Sequence, residues 1–458
     1  MTEQIIKKLN DSKAARWGAL AIVSFTMLCG YFIADVMAPL KPMIEEQLHW
    51  TSSEYGFFTS AYGWFNVFLL MLFFGGIILD KFGVRFTGIM AASIMVIGTA
   101  LKFYALSTPS LADTTLFGWK TQIMLAAIGF AIFGVGVEIA GITVTKVIVK
   151  WFKGKEIALA MGLQVATARI GTGLALGFSA PIAAALGHVS KSVFVGLILI
   201  VIGLLTFIIY TFLDKRLDKS LKDSSLAPED PFKFSDVTNI LTNKGWWYIA
   251  ILCVLFYSAV FPFLKYASDL MVNKFGVAEE WAGLIPAILP FGTILFTPVF
   301  GGIYDKKGKG VVIMIIGSIL ISAVHLIFAL PFVNQVIFAY FLMVVLGIGF
   351  SLVPSAMWPS VPKIIPENKL GTAYALIFLI QNVGLMFVPG IIGVVLDSTN
   401  PGIAEQIAAG NKTAVYNYTV PMLIFAGLSI LSIFIGFLLK AEDKKKGYGI
   451  DLPNIQQN

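Results

Sequence analysis

The chain has 458 residues, 57% of them hydrophobic and only 13% charged, with a formal net charge of +7. Soluble globular proteins carry about 25% charged residues, so too little polar surface remains to cover a water-facing sphere, and an ordinary soluble enzyme is excluded. Two cysteines in apolar runs and three histidines suggest neither a disulfide framework nor a histidine-built metal centre, and no cofactor or metal site is expected.

A bilayer core about 30 Å thick takes ~20 apolar residues as a helix. On that scale the sequence predicts an all-α membrane protein with twelve spans, at 17–40, 55–79, 86–107, 121–149, 157–187, 190–213, 246–275, 281–304, 311–330, 335–360, 370–396 and 415–440. Residues 1–16 are polar and basic and run straight into the first span, without the pattern of a cleavable signal. The only long polar stretch, 214–245, contains Ser224, Ser225, Pro228 and Pro231 and reads as a linker. The expected organisation is a six-span bundle over 17–213, that linker, a second six-span bundle over 246–440, and a tail at 441–458. With the N-terminus cytoplasmic, the inner segments hold 24 of the 33 Lys and Arg, and the outer loops hold five: Lys41, Lys120, Lys191, Lys274 and Lys412. That asymmetry predicts both termini inside and accounts for the basic balance without nucleic acid.

A short motif occurs twice. Span two ends in Gly75-Gly76-Ile77-Ile78-Leu79-Asp80-Lys81-Phe82-Gly83-Val84-Arg85, and span eight in Gly301-Gly302-Ile303-Tyr304-Asp305-Lys306-Lys307-Gly308-Lys309-Gly310. Asp80 and Asp305 are 225 residues apart, and internal duplication of this kind is a signature of secondary transporters. Glycine ends a helix tightly, and a carboxylate there can cap the next helix or pair with a basic group on a neighbouring span. One copy would be an ordinary basic turn. Two copies at equivalent places give Asp80, Arg85 and Asp305 a conformational role, as a latch or brace without substrate contact.

Six plus six spans with these paired loops resemble the major facilitator superfamily. Several stretches are similar to the branch that contains the lysosomal dipeptide uniporter and its bacterial relatives. They are Trp151 to Glu156 continuing through Gly162-Leu163-Gln164 to Ala168-Arg169-Ile170-Gly171, Tyr62-Gly63-Trp64-Phe65-Asn66, Ala259-Val260-Phe261-Pro262-Phe263, Ala356-Met357-Trp358-Pro359, and Leu370 to Tyr374 with Gln381-Asn382. The resemblance implies two pseudo-symmetric bundles around a central cavity. The opening residues Met1 to Ile6 lack an acidic dileucine signal, so a microbial cell membrane is the expected location.

An ionisable group at a helix centre costs about 2.5–3.5 kcal/mol on insertion scales, which makes each one a functional hypothesis. Glu138 lies 13 residues before Trp151, and Arg169 lies 13 residues after Glu156. At 1.5 Å per residue both sit about 20 Å from the same inner loop, level with one another near the midplane. Either they form a buried pair that only locks the first bundle, or they are the two arms of a site. Arg offers a planar fork for a carboxylate and Glu accepts from an ammonium. The resemblance implies the second, with these positions taking the amino and carboxyl ends of a dipeptide.

Nearer the outer mouth, Asp35 and Lys265 are expected to form a gate pair, with Asp269 one turn further out as a competing partner for Lys265. Lys102 and Lys146 are expected to snorkel to the headgroups, and His325 to be a satisfied packing residue. Tyr31, Tyr62, Trp64, Asn66, Trp358, Tyr374, Gln381 and Asn382 are polar or amphipathic groups within spans, and suit the few polar anchors of an otherwise apolar pocket. Pro354, Pro359 and Pro362 are expected to interrupt span ten, and Pro262, Pro286, Pro290, Pro298 and Pro389 to interrupt others.

No phosphate-binding glycine loop, His-Glu-x-x-His run or nucleophile elbow is present. ATP-driven pumping and enzymatic chemistry are therefore not expected. A mid-membrane carboxylate such as Glu138 can carry a proton, which a permanent cation nearby opposes. The expected function is alternating-access uniport of a dipeptide or similar zwitterion by a monomer in the lipid bilayer. Proton-coupled symport of a small carboxylate or inorganic anion is the first alternative, and a non-transporting membrane sensor the second.

Overall fold

The computed structural model describes residues 9–152, 155–221, 234–366 and 369–454. The readings that rest on Met1 to Ile6, on Lys153 and Gly154, and on Ser224, Ser225, Pro228 and Pro231 lie outside the described residues.

Helix α1 (Lys13–Asp35) starts where the Ser12 side chain accepts from the Ala15 amide. A 3₁₀ turn (Ala38–Leu40) and α2 (Lys41–Leu48) follow. Span two comes in pieces: α3 (Ser52–Ser60), a 3₁₀ turn (Ala61–Gly63), α4 (Trp64–Phe68), then Leu70 at φ 51 leading into α5 (Met71–Ser107). After a hairpin of β1 (Thr115–Leu116) and β2 (Trp119–Lys120) come α6 (Thr121–Phe152), α7 (Ile157–Leu186) and α8 (Val189–Leu221). The second half contains α9 (Phe234–Leu241), α10 (Lys244–Phe275), α11 (Leu284–Lys307), α12 (Gly310–Ala329), α13 (Val336–Ile364), α14 (Leu370–Thr399), α15 (Ile403–Ala408) and α16 (Thr419–Lys446).

Eleven helices among the described residues are long and apolar enough to cross a membrane. Helix α5 has 37 residues, about 55 Å at 1.5 Å per residue, which exceeds one hydrocarbon core. Gly83, at φ 74 and ψ 175, divides it: the part before it completes span two and the part after it is span three. The crossings therefore number twelve, and the fold is all-α as expected.

Three expectations are corrected. Span two is not one helix over 55–79. The linker expected at 214–245 is shorter, because α8 continues to Leu221 and α10 begins at Lys244; likewise α16 runs to Lys446, into the expected tail. The prolines do not interrupt the second-half helices: α13 runs through Pro354, Pro359 and Pro362, α10 through Pro262, α11 through Pro290 and Pro298, and α14 through Pro389. A proline removes only one N–H, and a neighbour can satisfy the freed carbonyl. Pro362 has no N–H for the Trp358 carbonyl, and the Tyr374 hydroxyl donates to that carbonyl at 3.1 Å instead.

The packing repeats between halves. In the first half α1 packs on α7 and α8, and α5 on α6 and α8. In the second, α10 packs on α14 and α16, α12 on α13 and α16, and α11 on α13. The halves meet mainly through α3 on α14 and α7 on α11. These contacts lie at the face opposite the one onto which Leu9 and Asn454 fold, here called the far face. Backbones touch there: a Cβ on Gly393 would lie 2.2 Å from the Ser52 carbonyl, and one on Gly283 would lie 1.9 Å from the Leu176 carbonyl. Asp397 accepts from the Ser52 and Ser53 amides at 3.1 and 2.7 Å, capping α3 from the other half.

Gly393→Ala is therefore expected to hold the far face open. Spin labels at the exposed residues Asp113 and Glu405 would show a longer separation than in the parent protein, and an unchanged separation would refute the close approach.

Candidate functional site

Arg169 on α7 projects into a cage of rings. Its guanidinium carbon is 5.2 Å from the centroid of Phe261 (α10), 5.5 Å from Phe350 (α13) and 6.0 Å from Tyr31 (α1). Ring faces attract a cation and leave its in-plane N–H edges unused. Among the described residues Arg169 has no hydrogen-bond acceptor and no carboxylate within 4.0 Å.

Glu138 on α6 accepts from the Tyr62 hydroxyl at 2.8 Å, and Asn382 of α14 donates to the Phe378 carbonyl at 3.0 Å. The two groups thus share one region of the interior without pairing with each other. The broken span two explains Tyr62. The 3₁₀ turn Ala61–Gly63 lies against α6, where a Cβ on Gly134 would stand 2.3 Å from the Tyr62 carbonyl. Glycine permits that approach, and the approach brings the phenol to Glu138.

The other expected anchors divide. Trp358 lies 6.4 Å from Tyr257 and 5.9 Å from Tyr374, and its indole N–H donates to the Tyr257 hydroxyl at 3.3 Å. With Phe261 and Phe350 these rings form an aromatic wall from the second half that faces Arg169. Gln381 accepts from the Cys253 thiol at 3.6 Å. Asn66 is buried, and among the described residues neither of its side-chain polar atoms has a hydrogen-bond partner. Trp64 is not brought to the charged pair: it donates to Ser60 at 3.3 Å and lines a lateral groove of about 420 Å³ with Met386, Gly390 and Ile391.

One turn further toward the far face, Lys265 donates to Asp35 Oδ1 at 2.6 Å, and Thr172 donates to Asp35 Oδ2 at 2.8 Å. Asp269 does not compete for Lys265, because Lys41 takes it. Lys41 is fully buried rather than a loop lysine in water, and lies 2.7 Å from both Asp269 and Glu45. Tyr418 also donates to Asp269, and the Lys41 ammonium sits 4.7 Å over the Tyr416 ring. Lys41 and Glu45 come from α2, while Asp269, Tyr416 and Tyr418 come from the second half, so this network joins the two halves at the far face. Sequence reading missed it, although Lys41 and Glu45 stand at the i,i+4 spacing of a helical ion pair.

Two further expectations fail. Lys102 does not snorkel: it is fully buried, 3.3 Å from the Ile33 carbonyl and 4.9 Å from the Phe130 ring. His325 packs against Phe263 and Phe425, but neither ring nitrogen has a hydrogen-bond partner among the described residues.

The duplicated loops lie on the opposite face. Asp80 pairs with Lys146 at 2.6 Å, which holds that lysine beside the loop. Arg85 and Lys150 share Asp214 and Asp218, at 3.0 and 2.5 Å for Arg85 and 2.8 and 2.6 Å for Lys150. Asp305 does not mirror this. It accepts from Asn454 at 2.8 Å, and Tyr304 before it donates to the Ile450 carbonyl at 3.0 Å, so the second loop holds the chain's own C-terminal segment.

Comparisons with known proteins agree with this architecture. The chain is 29% identical over 395 residues to the lysosomal dipeptide transporter MFSD1 of Bos taurus, covering 84% of this chain and 80% of that one. It is 23% identical over 433 residues to the hexuronate transporter of Bacillus subtilis, covering 90% and 94%. A crystal structure of a bacterial homologue of the human lysosomal transporter Spinster, in an inward-facing and occupied conformation, superposes with a TM-score of 0.69 at 14% identity, covering 95% of this chain and 98% of that one. A sequence model of the Major Facilitator Superfamily matches residues 20–389 and 271–450, and with twelve crossings packed as two repeated sets the chain belongs to that superfamily and is a multi-pass membrane transporter of small molecules, not an enzyme.

Proposed function

We propose that this transporter carries dipeptides or similarly sized zwitterions by uniport. The observation that carries the reading is the separation of Glu138 and Arg169. A pair that served only to lock the bundle would be joined, because an unpaired buried charge is costly. Here each charge has neutral polar or aromatic company, and each keeps capacity for a ligand. The Arg169 fork takes the substrate carboxylate and Glu138 takes the ammonium. Tyr62, Tyr31 and Asn382 border the charged arms, while Trp358 and Tyr374 supply the apolar wall. The MFSD1 relatives, named as dipeptide transporters, support this substrate class.

The Asp35–Lys265 pair and the Lys41, Glu45 and Asp269 network act as the gate on the far face. Asp80, Arg85 and Asp305 brace the opposite face. The protein works as a monomer in the cell membrane, with that opposite face and both termini cytoplasmic. The hexuronate relative favours a second reading, in which Arg169 dominates and a small carboxylate moves with protons.

Uptake into proteoliposomes separates the two. Labelled alanylalanine is expected to equilibrate across the membrane at either of two external pH values without a proton gradient, while a labelled hexuronate is excluded. Gradient-driven accumulation of the hexuronate would overturn the proposal.

A further inference from the structure

Three helices each carry a pair of residues three or four apart at the boundary between the substrate region and the far-face gate. On α1, Tyr31 lies four residues before Asp35. On α10, Phe261 lies four residues before Lys265. On α7, Arg169 lies three residues before Thr172. At these spacings side chains share a helix face about one turn apart. The inner member of each pair belongs to the Arg169 cage, with Tyr31 at 6.0 Å and Phe261 at 5.2 Å. The outer member of each belongs to the gate, where Asp35 takes Lys265 at 2.6 Å and Thr172 at 2.8 Å. Tyr31 and Arg169 come from the first half; Phe261 and Lys265 come from the second.

We infer that closing the far-face gate completes the carboxylate-binding arm, and that Phe261 is the positioning residue through which it does so. This rests on the reading of Arg169 as that arm. While Asp35 holds Lys265, α10 is drawn against α1, and the Phe261 ring lies over the guanidinium. Phe350, at 5.5 Å, comes from the second half as well. When the halves part at the far face, Arg169 keeps Tyr31 and loses the opposing rings. Ring contact occupies the guanidinium faces and displaces water from them, which directs the in-plane N–H fork toward a carboxylate. The substrate is therefore held more tightly with the far face closed than open, and gate charges that never touch the substrate alter its affinity.

The test measures binding of unlabelled alanylalanine to purified full-length protein by isothermal titration, with thermal unfolding as the check on folding. Phe261→Leu keeps an apolar side chain and removes the ring; it is expected to weaken binding about tenfold, the scale of a desolvated cation–π contact. Phe261→Tyr is expected to bind like the parent. Asp35→Asn, one turn away, is expected to weaken binding by a similar factor. The double variant is expected to be no worse than either single one, since both act through the same contact. Parent-like binding by Phe261→Leu, or fully multiplicative defects in the double variant, would overturn the coupling. Arg169→Gln, assayed alongside, isolates the underlying reading: if it binds like the parent, the carboxylate arm itself is wrong, whereas its loss of binding beside an unaffected Phe261→Leu refutes the coupling alone.

Discussion

Arg169→Gln is expected to reduce alanylalanine uptake on the order of 100-fold with the protein still folded, and Arg169→Lys is expected to recover little of it. A hydrogen bond to a charged group is worth about 1.5–3 kcal/mol, and a bidentate pair adds geometry that a point charge on a flexible stem does not reproduce. Folding should be spared because the guanidinium holds no carboxylate or carbonyl among the described residues; its neighbours are rings. A neutral amide of similar length can lie among those rings without stranding a charge. Uptake assays and thermal unfolding on the same preparation check both halves of the statement. Loss of folded protein would mean that Arg169 serves the bundle, while retained uptake would remove it from the site.

Lys41→Met should have the largest effect on the conformational balance. The ammonium is fully buried between Glu45 and Asp269, each at 2.7 Å. Removing one partner of a buried ion pair costs about 3–5 kcal/mol, because the other charge is left without compensation. The cost falls on the closed far face. Opening that face gives both carboxylates to water, so the protein escapes the penalty by opening rather than by unfolding. A shift of that size would turn a largely closed population into a largely open one. The distance between spin labels at Asp113 and Glu405 should increase, as it should for Gly393→Ala, and dipeptide exchange should fall because the far face closes rarely. Replacing all three residues with apolar ones, Lys41→Met with Glu45→Leu and Asp269→Leu, should restore closure and leave the gate insensitive to charge. An unchanged label distance in Lys41→Met would show that the network does not seal this face.

The two effects have a common origin. Each of these lysine and arginine side chains lies where the halves meet, so part of its surroundings comes from the other half: Phe261 and Phe350 for Arg169, and Asp269 for Lys41. The charges at the Asp80 and Arg85 loop differ in kind: their partners Lys146, Asp214 and Asp218 all come from the first half, so they can persist in any arrangement of the two bundles.

Composition and spacing were enough for the membrane class and the count of crossings. Each of these follows from short-range physics: bilayer thickness sets helix length, and rise per residue sets depth. Partners were a different matter. Lys41 read as a loop lysine and Lys102 as a snorkelling one, because a one-dimensional pattern shows distance from a span's end and not what packs over it. Asp269 stood one turn from Lys265 on the same helix, yet a lysine 228 residues earlier in the chain took it. The prolines sit inside continuous helices, with a neighbouring hydroxyl taking the carbonyl that Pro362 frees, while the actual break, in span two, came from a segment without proline that is shaped by its contact with α6 and α14. Whether a charge within a bilayer meets a ligand, a partner or a ring depends on which helices the fold brings to it, and that is settled by long-range packing of two halves whose local sequences carry no record of each other.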